Sequence, residues 1–556
     1  MTLPDAGKTA QPEVGAELSM LVDIGSAWTK AAIVARSRGR WRIVSQVAQP
    51  SAWGEADLRS ALVARLDGVV DRRVASRIGE LLQTAPRIAC HTPRRVGRIG
   101  LAGVSGELSG ASARRAAESA GWTVTEAATA DDGRSLTARL AALQAADVDA
   151  WLISGGFDGG RADQALEMAG LVATARSGSR QPVIWAGSAD LAAEVSALFE
   201  EGAVQVVDNP RPDATHEQPI PLRHELEELL QRMVEPGGVR QLTPVSFRRA
   251  IAELARSTMR SVLGVDLGAR YLTWVRSDET GDAESRVFAS GGLASPALLA
   301  SGGSARLARL LPMALDELAV ADALRNLNAR PATLPQTDDE LAVTHAAARH
   351  LLSQAAAEGS ITEGLDLLIG SGRTLAAAPR PAQAAQLLLD GIRPLGITEL
   401  AIDTAGALPP IGALEDGEIG EGMGVLRDDL LVPLGVAVVP RGGRAGQVTM
   451  RVSVHRIGWP DEGPIDVRHG QVTVLPLGRG QSAELDIELG ASVSLGGPRS
   501  GRQVHATVTG GTVGLILDAR DVPLAAPRRT DDRRAVLAAW HDAFLREPTS
   551  TLVGNR

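Results

Sequence analysis

The sequence is organised around the stretch Leu21-Val22-Asp23-Ile24-Gly25-Ser26-Ala27-Trp28-Thr29-Lys30. Residues 19–24 read as an apolar strand that ends in one carboxylate, a Gly-Ser turn follows, and residues 29–36 begin a second strand. Such a turn presents backbone N–H groups and a hydroxyl to phosphate oxygens, and an Asp at its mouth suits a hydrated Mg²⁺. An ordinary β-hairpin with a surface Asp is the alternative, and this stretch alone does not separate the two.

The same pattern occurs a second time, 243 positions later. Residues 262–270 read Val-Leu-Gly-Val-Asp-Leu-Gly-Ala-Arg, so Asp266 takes the place of Asp23 at the end of an apolar strand. Each hairpin is followed by a third predicted strand, over residues 41–47 and 286–289. A supersecondary unit that recurs at such a long period predicts an internally duplicated core.

A third glycine turn follows another apolar strand, over residues 366–372. It contains Gly370 and Gly372, and a residue without a Cβ lets the backbone lie close against a ligand. Lys30 is one of only two lysines in the chain. Its position beside the first turn has two explanations: the turn needs a flexible ammonium rather than a planar guanidinium, or a lysine stands there by chance.

Composition narrows the class of protein. The 556 residues are enough for several domains, and a formal net charge of −9 argues against non-specific nucleic-acid binding. The single cysteine, Cys90, excludes an intrachain disulfide and a thiolate metal cluster, and it suits a reducing compartment. We find no signal peptide and no apolar run of about 18 residues, so we expect no membrane span and a cytoplasmic location.

The pattern along the chain predicts the domain organisation. Strands and helices alternate over residues 98–207, which favours a parallel sheet covered by helices. The predicted parts are a disordered lead-in (residues 1–17), the first half of the duplicated core (18–98), an inserted α/β subdomain (99–210), the second half of the core (222–415), a β-rich domain (428–525) and a C-terminal helix (530–546).

Three loops need separate interpretation. Residues 155–160 (Gly-Gly-Phe-Asp-Gly-Gly) follow a predicted parallel strand, where ligands often bind, so they are either a ligand loop with Asp158 or a plain turn. Residues 415–424 contain four acidic side chains that would repel phosphate, and we interpret them as a solvated connection. Residues 87–98 have the composition of a turn and no clear period.

The order of these segments resembles the MutL/GlmL-type accessory proteins of adenosylcobalamin-dependent glutamate mutase, which are unrelated to the mismatch-repair MutL. The matching segments are residues 22–30, 153–160, 182–187, 265–268, 338–342 and 369–372. The paired hairpins are similar to those of the actin, Hsp70 and sugar-kinase superfamily. The resemblance implies an α/β fold with a duplicated actin/Hsp70-like (RNase H-like) nucleotide-binding core, an inserted parallel α/β subdomain and a C-terminal antiparallel β-domain.

The resemblance also implies a function. The protein would be a nucleotide-dependent reactivating chaperone that binds ATP or ADP with Mg²⁺ and exchanges damaged cobalamin from the subunits of a mutase. The residues expected to bind nucleotide are Asp23, Gly25, Ser26, Thr29, Lys30, Asp266, Gly268, Gly370 and Gly372. Asp23 and Asp266 are the expected metal ligands. No catalytic residue is assigned, and the oligomeric state stays open.

The second hairpin departs from the family pattern. The family has small hydroxyl residues and a trailing acid after Asp-x-Gly, whereas this chain has Arg270 and Tyr271. Arg270 either pairs with a γ-phosphate or blocks the site, so we expect weak or absent hydrolysis and leave open whether the protein is a weak ATPase. Two further hypotheses are an actin-like scaffold with nucleotide as an architectural ligand, and a small-molecule kinase with Asp158 or Asp403 as the base.

Overall fold

A computed structural model describes residues 17–37, 40–54, 57–66, 70–93, 96–161, 163–234, 241–300, 302–359, 364–425, 429–456, 462–496 and 501–546. The predicted lead-in lies outside these residues except for Glu17. The chain forms two compact units. One comprises residues 1–92, 246–283 and 290–556, and the other comprises residues 93–245 and 284–289.

The first repeat forms a small mixed sheet. Its elements are β1 (Leu18–Ile24), β2 (Trp28–Ser37), β3 (Arg40–Pro50), α1 (Leu58–Ala64), α2 (Arg72–Leu82) and β4 (Arg87–His91). β1 pairs antiparallel with β2 and parallel with β4, and the strands run in the order β4-β1-β2-β3. The prediction of a turn over residues 87–98 is therefore wrong over residues 87–91, which form a strand paired with β1, and the turn-like residues follow this strand.

The second unit is a parallel sheet with helices. Its elements are β5 (Gly97–Gly103), α3 (Ser109–Ser119), β6 (Trp122–Thr129), α4 (Leu136–Ala145), β7 (Ala150–Gly155), α5 (Asp163–Ala175), β8 (Val183–Gly187), α6 (Ala192–Ser196), β9 (Val204–Val206), α7 (Ile220–Val234) and β10 (Gln241–Leu242). Five of these strands, all except β10, form the sheet in the order β6-β5-β7-β8-β9, and all four pairings are parallel. Two apolar clusters, one containing Trp122 and one containing Trp151 and Trp185, form its core.

The second repeat forms the same arrangement of strands. Its elements are α8 (Thr243–Thr258), β11 (Val262–Leu267), β12 (Leu272–Ser277), β13 (Ala283–Phe288), α9 (Gly303–Ala308), α10 (Glu317–Ala329), α11 (Asp338–Glu358), β14 (Leu367–Ser371), α12 (Arg373–Ala376), α13 (Pro381–Ile392), β15 (Gly396–Asp403), α14 (Leu408–Gly412) and α15 (Asp416–Val425). β11 pairs antiparallel with β12 and parallel with β14, as β1 does with β2 and β4. The predicted duplication of the core is confirmed.

The C-terminal part is rich in strands. It contains β16 (Leu431–Val439), β17 (Arg441–Gly442), β18 (Val448–Arg456), β19 (Glu462–Arg468), β20 (Val472–Leu475), β21 (Ser482–Leu489), β22 (Val493–Ser494), β23 (Gln503–Thr509), β24 (Gly514–Asp518) and α16 (Thr530–Leu545). β16, β24 and β20 continue the core sheet in the order β12-β11-β14-β15-β16-β24-β20. β19-β18-β21-β23 form a separate antiparallel sheet. The two sheets share one apolar cluster that includes Val436 and Met450.

The prediction that residues 415–424 form a solvated connection is wrong about their secondary structure. These residues lie almost entirely in α15, and Ile419, 5% exposed, belongs to the apolar core cluster of this unit. The acidic side chains of Glu415 and Glu418 stay exposed, while Ile419 packs into the core, so the segment is a helix with a polar and an apolar side. Among the helices that the structure describes, none combines the length and the apolar character needed to cross a membrane.

Candidate functional site

The two carboxylates occupy equivalent positions in the duplicated sheets. Asp23 lies opposite Lys30 on β2 and beside Cys90 on β4. Asp266 lies opposite Thr273 on β12 and beside Ser371 on β14. The repeat is therefore preserved in strand register, and it places a small polar side chain beside each carboxylate on the parallel strand.

Lys30 and Asp23 form a buried ion pair. Lys30 Nζ lies 2.6 Å from Asp23 Oδ2, and the two side chains are 12% and 1% exposed. Burial opposes the charged ammonium, but the charges of Asp23, Asp266 and Asp403 outweigh it, so the pKa of Lys30 is raised. Lys30 therefore stays protonated and supplies one positive charge among three carboxylates.

One carboxylate oxygen of Asp266 receives no hydrogen bond from the described residues. Its side chain is 8% exposed, and its Oδ1 has no hydrogen-bond partner in the described part of the chain. Burial raises the pKa of Asp266, against the lowering effect of Lys30. A buried carboxylate oxygen without a partner carries a desolvation cost that a cation or a donor removes. A hard cation such as Mg²⁺, which prefers carboxylate and water oxygens, fits this residue.

Asp403 is a third buried carboxylate, at the end of β15. Its Oδ1 accepts the N–H of Ala407 at 3.1 Å, and its Oδ2 accepts the N–H of Leu408 at 3.1 Å. Ser371 Oγ also donates to Oδ2, at 3.3 Å. Burial raises the pKa of Asp403 to about 6, although these N–H groups and Lys30 oppose the rise. The prediction of the nucleotide site omitted Asp403, and the available signal was a third apolar strand that ends in Asp followed by a glycine turn.

The first turn has the backbone form that its sequence predicts, and a hydrogen bond from Ser51 supports it. The N–H of Gly25 donates to Trp28 O at 3.1 Å, and a Cβ on Gly25 would lie 2.5 Å from that oxygen. Ser51 Oγ donates to Gly25 O at 2.8 Å and contacts Thr29 Oγ1 at 2.9 Å. Thr29 is buried and supports the turn, whereas Ser26 is exposed at its tip. Contact of these residues with a nucleotide stays a prediction.

The second turn has the same backbone form and different side chains. The N–H of Gly268 donates to Tyr271 O at 2.9 Å. Tyr271 is buried, which raises the pKa of its hydroxyl to about 12, whereas Arg270 is exposed. The large side chain of Tyr271 therefore packs inside the protein. Both interpretations of Arg270 stay open.

Close packing inside the protein explains why two positions of the third turn are glycine. Gly372 has φ +96°, and a Cβ there would lie 2.2 Å from Leu267 O. A Cβ on Gly370 would lie 2.7 Å from Ile402 Cδ1. The absent side chains let β14 pack tightly between its neighbours. A direct role of Gly370 and Gly372 in nucleotide binding stays a prediction.

A polar cavity of about 230 Å³ opens beside Lys30. Its wall includes Lys30, Gln46, Arg65, Arg373, Asp403 and Gly406. Within the described ranges, no group of three or more His, Cys, Asp or Glu side chains is arranged to hold a metal ion. A Mg²⁺ at the two predicted ligands would therefore complete its coordination with water or phosphate oxygens.

The loop at residues 155–160 is held in place by contacts within its own unit. Asp158 Oδ1 accepts from the N–H of Ala189 at 3.3 Å and from Asn209 Nδ2 at 3.2 Å. Gly155 has φ +138°, and a Cβ there would lie 2.6 Å from Val104 Cγ2. These contacts explain the glycines and the Asp without a ligand, which favours the plain-turn interpretation.

Comparison with known proteins identifies one family and several solved structures. A family model described as MutL protein matches residues 19–430. No curated protein matches the chain. Component A of (R)-2-hydroxyglutaryl-CoA dehydratase from Acidaminococcus fermentans is 9% identical, with 71% of this chain and 96% of that chain covered and a TM-score of 0.25.

Two further structures are similarly distant. The activator of the 2-hydroxyisocaproyl-CoA dehydratase from Clostridium difficile, with bound ADPNP, is 9% identical over 73% of this chain and 97% of that chain, with a TM-score of 0.23. A nucleotide-free acetone carboxylase is 11% identical over 81% of each chain, with a TM-score of 0.31. At these TM-scores the likenesses carry no argument about the site.

Proposed function

The chain belongs to the MutL protein family, and from this premise we propose that it is an ATP-binding accessory protein that reactivates an adenosylcobalamin-dependent mutase. Family membership supports the coarser statement, an accessory role for a radical or cobalamin enzyme. The mutase as partner, the chaperone activity, the weak or absent hydrolysis and the cytoplasmic location belong to the proposal.

One observation carries the nucleotide-binding part of the proposal. Equivalent hairpins present the Asp23–Lys30 ion pair and the unpartnered Oδ1 of Asp266, as far as the described residues extend. Lys30 Nζ would exchange Asp23 for phosphate oxygens, and Asp23 and Asp266 would hold a hydrated Mg²⁺. The bound metal would neutralise phosphate charge. The N–H groups of the first turn, held in place by Ser51, would orient the phosphate chain.

The environment of Asp403 supports weak or absent hydrolysis. It is the one carboxylate among the described residues that line the cavity. Both of its oxygens already accept hydrogen bonds from backbone N–H groups. Ser371 Oγ donates to Oδ2 as well, so one lone pair stays free, on Oδ1, and the side chain of Asp403 is fully buried. A general base needs a free lone pair aimed at the attacking water, and burial limits the access of water to this one, so Asp403 is poorly placed for that task. The same contacts argue against Asp403 as the base of a kinase.

The nucleotide site is tested by calorimetric titration of the purified protein with Mg-ATP and Mg-ADP. We expect Asp266→Asn to weaken binding of both at least tenfold, because charge-assisted contacts contribute about 1.5–3 kcal/mol. Asp322→Asn is the matched control, since Asp322 is 69% exposed and the substitution removes the same charge. If Asp266→Asn binds Mg-ATP as tightly as the parent protein, the proposed site is wrong.

The accessory role needs a second assay, with the cobalamin-dependent mutase of the same organism. The mutase is inactivated by turnover and then incubated with fresh adenosylcobalamin, Mg-ATP and this protein. We expect recovery of activity that requires both the nucleotide and the protein. Binding of Mg-ATP without any recovery would favour the scaffold hypothesis instead.

A further inference from the structure

Arg373 is one of the cations that line the cavity, and it stacks on an aromatic ring. It is the first residue of α12 and follows Gly372 directly. Its Cζ lies 5.0 Å from the centroid of the Trp28 ring, and Trp28 belongs to the first turn. The guanidinium therefore rests on the turn that is predicted to receive phosphate.

Arg373 is half-buried and lacks the partners that a desolvated guanidinium normally has. Its Nε is buried without a hydrogen-bond acceptor, and it forms no ion pair within the described residues. Burial lowers the pKa of Arg373, which is the effect of a desolvated charge without a counterion. The face of an indole ring is the contact that partly compensates this charge.

The cavity wall carries an excess of positive charge. Lys30, Arg65 and Arg373 line it, against one carboxylate, that of Asp403. Lys30 is matched by Asp23, whereas Arg65 and Arg373 have no carboxylate partner in the part of the chain that the structure describes. An anion with several oxygens would satisfy the two guanidinium groups and remain compatible with Lys30.

We propose that Arg373 is an anion-binding residue, whose guanidinium leaves the Trp28 ring to bind the oxygens of a phosphate chain in this cavity. The ligand is either the polyphosphate tail of a nucleotide or inorganic polyphosphate, and the choice of nucleotide rests on the proposed function. The exchange is favourable because a charge-assisted contact to phosphate oxygens is stronger than the cation–π contact that it replaces. The indole of Trp28 then senses occupancy.

A purely structural role is the competing explanation. In that case Arg373 would only brace the first turn by stacking on Trp28, and its loss would lower stability without any effect specific to phosphate. The two roles differ in the ligand dependence of the variants, so binding and spectroscopy have to be measured together with the thermal midpoint.

The binding test uses the full chain titrated with tripolyphosphate and with Mg-ATP. We expect Arg373→Ala to weaken tripolyphosphate binding at least tenfold and Arg373→Lys to retain part of it, because an ammonium keeps the charge and loses the bidentate geometry. Arg161→Ala is the matched control, since Arg161 is 94% exposed on a loop of the inserted unit. It should bind both ligands like the parent protein.

The spectroscopic test follows indole emission while tripolyphosphate is added. We expect a saturable change in the parent protein that is absent in Trp28→Phe and reduced in Arg373→Lys. This measurement keeps the proposal testable if Arg373→Ala does not fold. A signal of equal size in Trp28→Phe would overturn the assignment of the sensor.

The outcomes separate this inference from the proposed function. If Asp266→Asn loses Mg-ATP while Arg373→Ala binds both ligands within twofold of the parent protein, the nucleotide site stands and Arg373 is structural. If the parent protein binds tripolyphosphate through Arg373 but does not bind Mg-ATP, this inference stands and the proposed function fails. Binding of neither ligand by the parent protein overturns both.

Discussion

At the scale of single residues, Lys30 is the one ammonium that interacts with three buried carboxylates of the described core. Asp23 contacts it directly, and the charges of Asp266 and Asp403 add to the rise of its pKa. Its aliphatic stem is also confined, because Gly406 lies against it. A Cβ on Gly406 would lie 2.2 Å from Lys30 Cδ, and Gly406 has φ +65°.

Gly406→Ala tests this confinement. We expect a loss of about 1–2 kcal/mol of stability from the left-handed backbone, together with several-fold weaker Mg-ATP binding because the methyl group displaces Lys30. Gly446→Ala is the matched control, since Gly446 has φ +79° and a Cβ there would meet nothing within 4 Å. It should lose similar stability and bind nucleotide normally. Calorimetric titration and chemical denaturation measure the two effects, and equal binding by both variants would contradict the prediction.

At the scale of elements, α11 carries a buried titratable group. Thr337 caps its N-terminus by accepting the N–H of Glu340. His345, in the second turn of the helix, is 7% exposed, and its Nε2 has no partner among the described residues. Burial, with the positive charge of Arg349 and the nearby His541, lowers the pKa of His345 to about 4.

This depressed pKa predicts an acid dependence of stability. Between the unfolded pKa of 6.5 and the folded pKa of about 4, the unfolded chain binds a proton that the native state refuses. Stability therefore falls as the pH falls through this window, by up to about 3 kcal/mol at its lower end.

The matching experiment compares denaturant midpoints at about pH 7 and about pH 4.5, which lie above and inside this window. His345→Leu should show a smaller loss on acidification than the parent protein. His216→Gln, at a site where the side chain is 81% exposed, should behave like the parent protein. An unchanged pH dependence in His345→Leu would show that other groups control the acid response.

At the scale of the whole chain, the C-terminal part is built into the second half of the core rather than attached to it. β16 pairs with β15, and β24 and β20 extend the same sheet. Arg520 is fully buried and bonds Asp390 of α13 and Asp518 of β24. α16 covers this ion cluster with the rings of Trp540 and Phe544, 5.1 Å and 5.5 Å from Arg520 Cζ.

Deletion of residues 527–556 tests how much α16 contributes. We expect the thermal midpoint of the protein to fall by several degrees, because the deletion exposes Arg520 and removes two large buried aromatic side chains. Deletion of residues 547–556 alone, which removes none of the described contacts of α16, is the control that separates the effect of α16 from that of the residues after it. Equal midpoints for the two truncated proteins would mean that α16 adds little to stability.

The sequence by itself determined the repeated hairpins, the parallel α/β character of the inserted segment and the family. These features depend on local periodicity, on glycine turns and on the order of short motifs, all of which are visible along the chain. Asp23, Lys30 and Asp266 could be predicted as site residues for the same reason, since each stands at a fixed position relative to a turn.

Only the tertiary structure decided which distant groups share a site. β4 is a strand because β1 pairs with it, although it leads directly into the turn-like residues Thr92 and Pro93. Asp403 joins the carboxylates because β15 lies beside β14, and Arg373 meets Trp28 across a separation of 345 positions. Likewise, pairing with β15 makes β16 part of the core. Burial, charge compensation and strand pairing depend on segments far apart in sequence, and a local pattern does not encode them.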